Sequence, residues 1–365
     1  MPVWVREWEI VIMIYNFGSG PGMMPPEVLQ QAQQEMLSWN GSGISIMEMP
    51  FTGSEFQTIA DQARQDLRDL LMVPDNFHIL FMQGGASAQF SLVPMNLLAN
   101  TTKTQVDYID TGYWSKKAIV EAKRYCTVNV VHRSENINAF NPMANYCHIT
   151  TNETADGTQW HQLPDTGMVP LIADMSSDFL SRPIDFSRFG LIYAGAQKNI
   201  GPAGLTIVLI REDLIQEPIA TTPSAFSYKV VADTNGRFNT PLTHAIYVAG
   251  LVFQYCKKMG GIAAIAQLSR VKSQRLYQAI EQSDFYRCLQ PVHLRSRMNV
   301  CFELVDKSLT ELFLQRAQDR GLVNLAGHSA QGGIRASLYN AMPMAGVFAL
   351  AQFMADFALE HQVVL

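Results

Sequence analysis

Charged residues are scarce in this chain: Asp, Glu, Lys and Arg make up 16% of its 365 residues. The formal net charge is −5 and no run of basic residues occurs, so we expect neither nucleic acid nor an anionic membrane as a partner. Hydrophobic residues make up 48% of the chain. This balance is typical of a compact globular protein and argues against a disordered one.

Cysteine is rare as well. The five cysteines are dispersed and include no CxxC pair, which indicates free, mostly buried thiols in a reducing compartment. No metal site is predicted. The sequence also lacks a window of 18 uncharged apolar residues, so no membrane span is expected.

The N-terminus lacks the uninterrupted apolar core of a signal peptide, because Arg6, Glu7 and Glu9 fall within it. We therefore expect a cytoplasmic protein. Residues 1–12 are interpreted as an N-terminal extension, or as sequence that precedes a natural start at Met13.

Short apolar runs alternate with helical patterns over residues 13–265. Strands are predicted at 77–82, 106–110, 127–132, 168–174, 190–195 and 205–210, and helices among them at 55–72, 87–98 and 115–124. This alternation predicts an α/β fold, with a large domain built on a mostly parallel sheet. The pattern over residues 266–365 predicts a smaller α+β C-terminal domain.

A single lysine, Lys198, lies in the segment LIYAGAQKNIGPAG (191–204), among small residues that follow an apolar run. An amine that is readily deprotonated can bond to an aldehyde cofactor. A lone lysine near the end of a strand is more often only a surface cation, so the motif needs supporting residues.

Three other predicted strands end in residues that complement such a lysine. The GGAS motif at 84–87 opens a helix and suits a phosphate, Trp114 can stack on a flat ring, and Asp174 can pair with a protonated pyridine nitrogen. Taken singly, the first two are more typical of an ordinary turn and a core tryptophan, and Asp174 is equally typical of a helix N-cap or a solvated acid in a loop. In this order on successive strands, they match the needs of pyridoxal phosphate (PLP).

With these motifs in place, the chain resembles the phosphoserine aminotransferases, which are PLP enzymes of the aspartate-aminotransferase fold (PLP-dependent transferase fold type I). The resemblance covers about residues 14–360. It rests on the segments YNFGSGPGMMP, WNGSGISIMEM, DYIDTGYWSKKAI, NETADG, SRPIDFSRFGLIYAGAQKNIGPAGLTIV, FNTPLTHAIY, SRMNV and GGIRASLYNAMP.

The resemblance implies a role for each matching position. Lys198 is bonded to PLP and moves a proton, Asp174 pairs with the ring nitrogen, and Trp114 stacks on the ring and borders the substrate. Arg335 binds the substrate α-carboxylate, which suits a guanidinium fork. Further implied cofactor contacts are Thr154 near the 3′-oxygen, Ala86, Ser87 and Gln197 at the phosphate, and Asn239 and Thr240 from the neighbouring subunit of a homodimer with shared sites.

The chain departs from this family where the family binds the substrate phosphate. A His-Arg pair of the family falls on Phe51 and Thr52, which would contribute from the other subunit, and an arginine falls on Ser329. His328 is retained. Losing a charge-assisted contact at a buried site costs about 2–5 kcal/mol, and Phe51 adds apolar surface that disfavours a dianion.

We therefore expect an aminotransferase that moves an amino group between an amino acid and a 2-oxo acid, with a substrate that lacks the phosphate, as a specialised biosynthetic paralogue. The alternative is phosphoserine aminotransferase proper, which acts in serine and vitamin B6 biosynthesis; Arg237 and His328 would then compensate for the lost bases. A desulfurase is disfavoured because no cysteine lies in a glycine-rich loop. A non-catalytic scaffold is disfavoured because Lys198 and Asp174 are both present.

Overall fold

The computed structural model describes residues 13–98, 104–132 and 140–361. The extension predicted over residues 1–12 lies outside the described residues. The described strands are, in chain order, β1 (Tyr15–Asn16), β2 (Phe77–Gln83), β3 (Gln105–Asp110), β4 (Thr127–His132), β5 (Cys147–Thr150), β6 (Asn152–Glu153), β7 (Thr158–Gln159), β8 (Leu171–Asp174), β9 (Phe189–Gly195), β10 (Leu205–Arg211), β11 (Tyr286–Arg287), β12 (Asn299–Leu304), β13 (Leu322–Val323) and β14 (Ile334–Ser337). The described α-helices are α1 (Pro26–Gln34), α2 (Ser54–Leu71), α3 (Gly85–Leu97), α4 (Tyr113–Ala122), α5 (Tyr228–Asp233), α6 (Thr243–Lys258), α7 (Gly261–Glu281), α8 (Thr310–Asp319) and α9 (Met344–His361).

Seven strands form the central sheet, in the order β2-β10-β9-β8-β5-β3-β4. Neighbours are parallel from β9 through β8, β5 and β3 to β4, whereas β10 runs antiparallel to both β9 and β2. The short turn between β9 and β10 returns the chain beside the strand it has just left, and only an antiparallel neighbour can be reached by so short a connection. The prediction of a mostly parallel sheet is confirmed.

The two faces of this sheet carry separate apolar cores. In β9, Ile192 and Ala194 belong to the core that includes α2 and α6, whereas Leu191 and Tyr193 belong to the core that includes α3 and α4. All of β9 is buried. Burial on both faces explains why β9 appears in the sequence as an unbroken apolar run.

A third core lies in the C-terminal part of the chain, among α7, α8, α9 and the strands β12 and β14. It also contains Phe17, and β1 pairs with β13, so the segment that begins the predicted large domain packs with the C-terminal part. The predicted boundary at residue 265 falls inside α7. A division into domains at 13–265 and 266–365 remains a prediction.

One predicted strand of the central sheet, β8, is shorter than expected, and another strand of that sheet, β5, was not predicted. β8 begins at Leu171 instead of 168, directly after a proline, which cannot donate to a sheet ladder. β5 is fully buried although His148 and Thr150 alternate with its apolar residues, so its pattern resembles a half-exposed strand. No helix in the three described ranges is long and apolar enough to cross a bilayer.

Candidate active site

Four segments that carry predicted site residues meet at one edge of the central sheet. β8 ends at Asp174, β9 leads to the turn with Lys198, β3 leads to the first turn of α4 with Trp114, and β2 leads into α3. These four strands point in the same direction. Their carboxyl ends therefore open on the same side, which is where open α/β sheets bind ligands.

A cavity of about 190 Å³ lies at this edge. It is lined by most of the predicted cofactor residues, namely Ala86, Ser87, Trp114, Thr154, Asp174, Gln197 and Lys198. His328 and Arg335, which are predicted to bind substrate, also line it. The fold thus brings predicted residues from widely separated segments to one cavity.

The ammonium group of Lys198 faces the indole of Trp114, with Nζ 5.6 Å from the ring centroid. Burial lowers the pKa of Lys198, against the opposing negative charges of Asp174 and Glu153. A lower pKa leaves more of the amine unprotonated at neutral pH. That form is the one able to bond to an aldehyde.

The carboxylate of Asp174 is buried at the end of β8. Burial raises the pKa of Asp174, while hydrogen bonds from Ser176 and the charge of Lys198 oppose the shift. The Ser176 N–H donates to Asp174 Oδ1 at 2.9 Å. Pairing with a protonated ring nitrogen would offset the cost of desolvating this carboxylate.

Hydrogen bonds fix the indole of Trp114 and the start of its helix. Nε1 donates to Thr154 Oγ1 at 2.8 Å. Glu153 accepts from the Trp114 and Ser115 N–H groups and from the Thr111 hydroxyl, each at 2.9 Å. Its carboxylate therefore caps the positive end of α4. Burial raises the pKa of Glu153, and the same three donors oppose that shift.

The start of α3 is shaped by a glycine that no other residue could replace. Gly84, its N-cap, has a φ of 99°, and a Cβ there would lie 2.6 Å from the Cβ of Ala88, so this position requires glycine. Ala86 and Ser87 in the first turn line the cavity. The unpaired amides of a helix N-terminus suit a phosphate group.

Two buried polar atoms at the cavity, Thr150 Oγ1 and Gln197 Oε1, have no hydrogen-bond partner in the described part of the chain. Buried polar atoms are nearly always satisfied, so a polar ligand is expected here. The start of α3 offers donors for a phosphate, Asp174 a partner for a ring nitrogen, and Lys198 an amine for an aldehyde. The residues present therefore fit PLP.

Arg335 reaches the cavity from β14, and its Nη1 donates to the backbone oxygen of Thr154 at 3.0 Å. The imidazole of His328 packs on Tyr113 with ring centroids 4.3 Å apart. Burial, then the charges of Arg335 and Lys117, lower the pKa of His328. Among the described residues, this side of the cavity therefore combines one guanidinium with an imidazole whose lowered pKa favours the neutral form.

The other predicted residues do not line this cavity in the described ranges; they are Phe51, Thr52, Asn239, Thr240 and Ser329. Thr52, Asn239, Thr240 and Ser329 are exposed, and Phe51 packs at the edge of the core that includes α2. Roles for these residues remain predictions.

Arg237, considered above as a compensating base, lies on the same surface as Phe51. Its Nη1 donates to Gln57 Oε1 at 3.2 Å, and Gln57 Nε2 donates to the Phe51 backbone oxygen at 2.9 Å. The guanidinium is exposed and lies away from the residues that line the cavity of its own chain.

Sequence motifs did not identify Glu153 or Ser176 as site residues. The signal for Ser176 is local, because an aspartate often accepts from the backbone N–H two residues later. Glu153 is separated by 39 residues from Trp114, to which it bonds. Only the fold reveals that contact.

Known families give this geometry a context. The family model for class-V aminotransferases matches residues 14–350. The chain belongs to the class-V aminotransferases. The phosphoserine aminotransferase of Laribacter hongkongensis is 51% identical to it over 359 residues, covering 95% of this chain and 99% of that protein. The phosphoserine aminotransferase of Nitrosomonas europaea is 50% identical over 366 residues, with the same coverage.

Solved structures agree with this assignment. The phosphoserine aminotransferase from Bacillus circulans subsp. alkalophilus has a TM-score of 0.92 and 41% identity, covering 95% of this chain and 99% of that one. The PLP-bound phosphoserine aminotransferase from Trichomonas vaginalis has a TM-score of 0.89 and 39% identity, covering 94% and 100%.

The class-V aminotransferase described here is therefore a member of the phosphoserine aminotransferase family, with the PLP-dependent fold type I. It is a transaminase, and its cofactor is PLP. The predictions of family, fold class, enzyme class and cofactor are confirmed.

Proposed function

We propose that the aminotransferase acts on an amino acid whose side chain carries no phosphate, and passes the amino group to a 2-oxo acid. The charge of the cavity carries this proposal. Among the described residues that line it, Arg335 is the one guanidinium, and burial holds the pKa of His328 below its usual value. With Arg335 committed to the α-carboxylate, no second guanidinium faces a phosphate, which prefers charge-assisted contacts.

When bound, PLP would supply the aldehyde and the electron-withdrawing ring that transamination needs. The chain supplies the remaining functions. Arg335 binds and orients the α-carboxylate, and Lys198 removes and returns the proton at Cα. Asp174 would pair with a protonated ring nitrogen, and Trp114 would stack on the ring.

Phosphoserine aminotransferase proper, converting 3-phosphohydroxypyruvate and glutamate to phosphoserine and 2-oxoglutarate, is the second candidate. The names of the curated relatives favour it. So does Lys117, whose Nζ lies 5.1 Å from the Tyr113 ring centroid and whose charge acts on His328. Under this candidate, Lys117 and the partner subunit would provide the missing positive charge.

A half-reaction screen separates the two candidates. Single amino acids are added to PLP-loaded protein, and conversion of the cofactor is followed by its absorbance. The first candidate predicts that uncharged amino acids convert the cofactor at lower concentration than phosphoserine does. The second candidate predicts that phosphoserine and glutamate convert the cofactor at low concentration. It also predicts that Lys117→Gln reduces conversion by phosphoserine but not by uncharged amino acids. Lys116→Gln, at the adjacent exposed position, is the matched control.

We also infer a homodimer in which each subunit completes the site of the other. Asn239 and Thr240 are exposed, and the neighbouring Phe238 is 49% exposed, as expected of an apolar side chain that a partner covers. Sedimentation velocity should show that the wild-type protein is a dimer. Phe238→Asp should shift the equilibrium toward the monomer, and Arg237→Asp is the control for the added negative charge. A monomeric wild-type protein would contradict the inference.

We infer a cytoplasmic location from the thiols. All five cysteines are free, which fits a reducing compartment. Fractionation of cells that produce the full chain would test this location, and recovery with a periplasmic or extracellular marker would contradict it.

A further inference from the structure

A row of polar side chains lies behind Asp174, on the sheet face covered by α3 and α4. Asp174 and Tyr193 are register partners on β8 and β9. His148 on β5 is in register with Ile172, two residues before Asp174. Residues two apart in a strand share a face, so the carboxyl, hydroxyl and imidazole groups lie on the same side of the sheet.

Two of these groups, those of His148 and Tyr193, are in contact, and all three side chains are buried. His148 Nε2 lies 2.9 Å from Tyr193 Oη, and the two side chains are 1% and 0% exposed. Burial, then the charge of Asp174, raise the pKa of Tyr193, as expected for a hydroxyl whose register partner carries a carboxylate. The ring of Tyr108 stacks on His148 with centroids 4.5 Å apart and fixes the plane of the imidazole.

The direction of the hydrogen bonds follows from the imidazole. Burial lowers the pKa of His148 to about 3, so the ring is neutral and carries one proton. Nδ1 has no hydrogen-bond partner in the described chain, and a proton there would be a buried donor left unsatisfied. A proton on Nε2 instead donates to Tyr193.

The same tautomer frees the hydroxyl proton of Tyr193. Once Tyr193 Oη accepts from His148, its own O–H can donate to the carboxylate of Asp174. A hydrogen bond to a charged acceptor is stronger than one to a neutral acceptor. The hydrogen bonds are therefore expected to run in one direction, with His148 donating to Tyr193 and Tyr193 donating to Asp174.

We propose that His148 and Tyr193 are positioning residues for PLP: His148 Nε2–H donates to Tyr193, and Tyr193 O–H donates to Asp174, keeping that carboxylate ionised and oriented toward the ring nitrogen. The inference rests on the role proposed for Asp174. No proton is transferred along these two hydrogen bonds. The Tyr193 hydroxyl gives the Asp174 carboxylate a second donor in addition to Ser176. Hydrogen bonds donated to a carboxylate favour its charged form.

Lys198 and Asp178 act on Asp174 through their charges, in opposite directions. Three neutral groups near this row do not compete for Asp174. They are tyrosines on neighbouring elements, Tyr108, Tyr146 and Tyr228, and burial raises the pKa of each. All three are neutral at physiological pH. The hydroxyls of Tyr108 and Tyr146 bond to one another at 3.1 Å, and that of Tyr228 donates to Gln89 at 2.6 Å.

The first test measures the affinity of the full-length apoprotein for PLP. Tyr193→Phe removes only the hydroxyl and should weaken PLP binding about tenfold, the factor expected for one hydrogen bond to a charged group. Tyr146→Phe, which also removes a buried tyrosine hydroxyl from this cluster, should bind within about twofold of wild type. His148→Gln, which keeps an N–H near the Nε2 position, should bind more tightly than His148→Leu.

Nitrogen-15 NMR of histidine-labelled apoprotein reads the tautomer directly. The proposal requires the His148 proton on Nε2, and a proton on Nδ1 overturns it. Equal PLP affinities of Tyr193→Phe and Tyr146→Phe also overturn it; the two His148 variants give the same comparison if Tyr193→Phe fails to fold. Asp174→Ala tests the role of Asp174 separately from the role of His148 and Tyr193. If it binds PLP like wild type, the role of Asp174 is wrong. If Asp174→Ala binds PLP weakly while the Tyr193 and His148 variants bind it like wild type, only the role proposed for His148 and Tyr193 is wrong.

Discussion

The indole Nε1 of Trp114 donates a 2.8 Å hydrogen bond to Oγ1 of Thr154. The backbone oxygen of the same threonine accepts from Arg335 at 3.0 Å. Thr154 therefore connects the side chain proposed to stack on the cofactor with the side chain proposed to bind the substrate carboxylate. One residue of the loop after β6 sets the relative position of the two ends of the cavity.

Replacing Thr154 by valine should loosen this connection. Valine has a similar shape but no hydroxyl, so the indole N–H of Trp114 loses its partner, at a cost of about 1–3 kcal/mol. We expect PLP binding to weaken about fivefold or more, measured by titrating apoprotein. Thr154→Ser keeps the hydroxyl and is the control. Equal affinities of the valine and serine variants would contradict the role given to this bond.

Removing the carboxylate of Glu153 should destabilise the start of α4. Glu153→Ala leaves three donors without their shared acceptor, and we expect a loss of about 3 kcal/mol in the free energy of unfolding. Glu153→Gln keeps an acceptor oxygen and should lose less. Urea denaturation checks both variants, and an alanine variant as stable as wild type would show that water replaces the carboxylate.

Lys198→Ala should remove both the covalent attachment of PLP and most of the activity. Loss of a general acid–base group lowers the rate by about 10²–10⁴-fold. After borohydride reduction, mass spectrometry should find the cofactor on Lys198 in wild type and on no lysine in the variant. Lys116→Ala is the control. Finding the reduced cofactor on another lysine of wild type would refute the assignment.

Stability should fall on the acid side of neutrality because of His148. Its pKa is about 3 in the fold against 6.5 in the unfolded chain, so the unfolded state binds more protons between these values and stability rises with pH there. From pH 7 to pH 5 this group should remove about 2 kcal/mol. His148→Gln should reduce the difference in unfolding free energy between pH 7 and pH 5, measured by urea denaturation at both pH values. An unchanged difference would mean that other groups cause the acid sensitivity.

Restoring one positive charge should restore some affinity for phosphate. Ser329→Arg places a guanidinium next to His328, and a charge-assisted contact there is worth about 2–5 kcal/mol. We expect phosphoserine to convert the cofactor at a concentration at least about tenfold lower. Ser329→Gln has a long uncharged side chain and is the control. If both variants behave alike, charge at this position does not decide the substrate.

The residues that the sequence analysis recovered carry their chemistry in a local pattern. Asp174 and Trp114 follow apolar strands, and Lys198 lies in a glycine-rich turn, so strand prediction alone places them at one edge of a parallel sheet. The order of the strands in the sheet was not predicted from this pattern. The antiparallel direction of β10 agrees with its short connection to β9.

The residues that it did not recover depend on contacts across the fold. His148 lies 45 residues from Tyr193, to which it bonds, and in the sequence it is only a polar residue in a strand. Glu153 caps a helix that begins 40 residues earlier. Phe51, Thr52, Asn239 and Thr240 do not line the cavity of their own chain, so the roles predicted for them would require a second subunit.

The most direct test of the substrate proposal compares serine with phosphoserine in the half-reaction of one PLP-loaded preparation. The two amino acids share the α-carboxylate that Arg335 binds and differ only by the phosphate. We predict that phosphoserine converts the cofactor no more readily than serine does, because no second guanidinium among the described residues lines the cavity. Conversion by phosphoserine at a concentration a hundredfold lower or more, equal to about 2.8 kcal/mol, would show that the phosphate is bound and that the proposed substrate class is wrong.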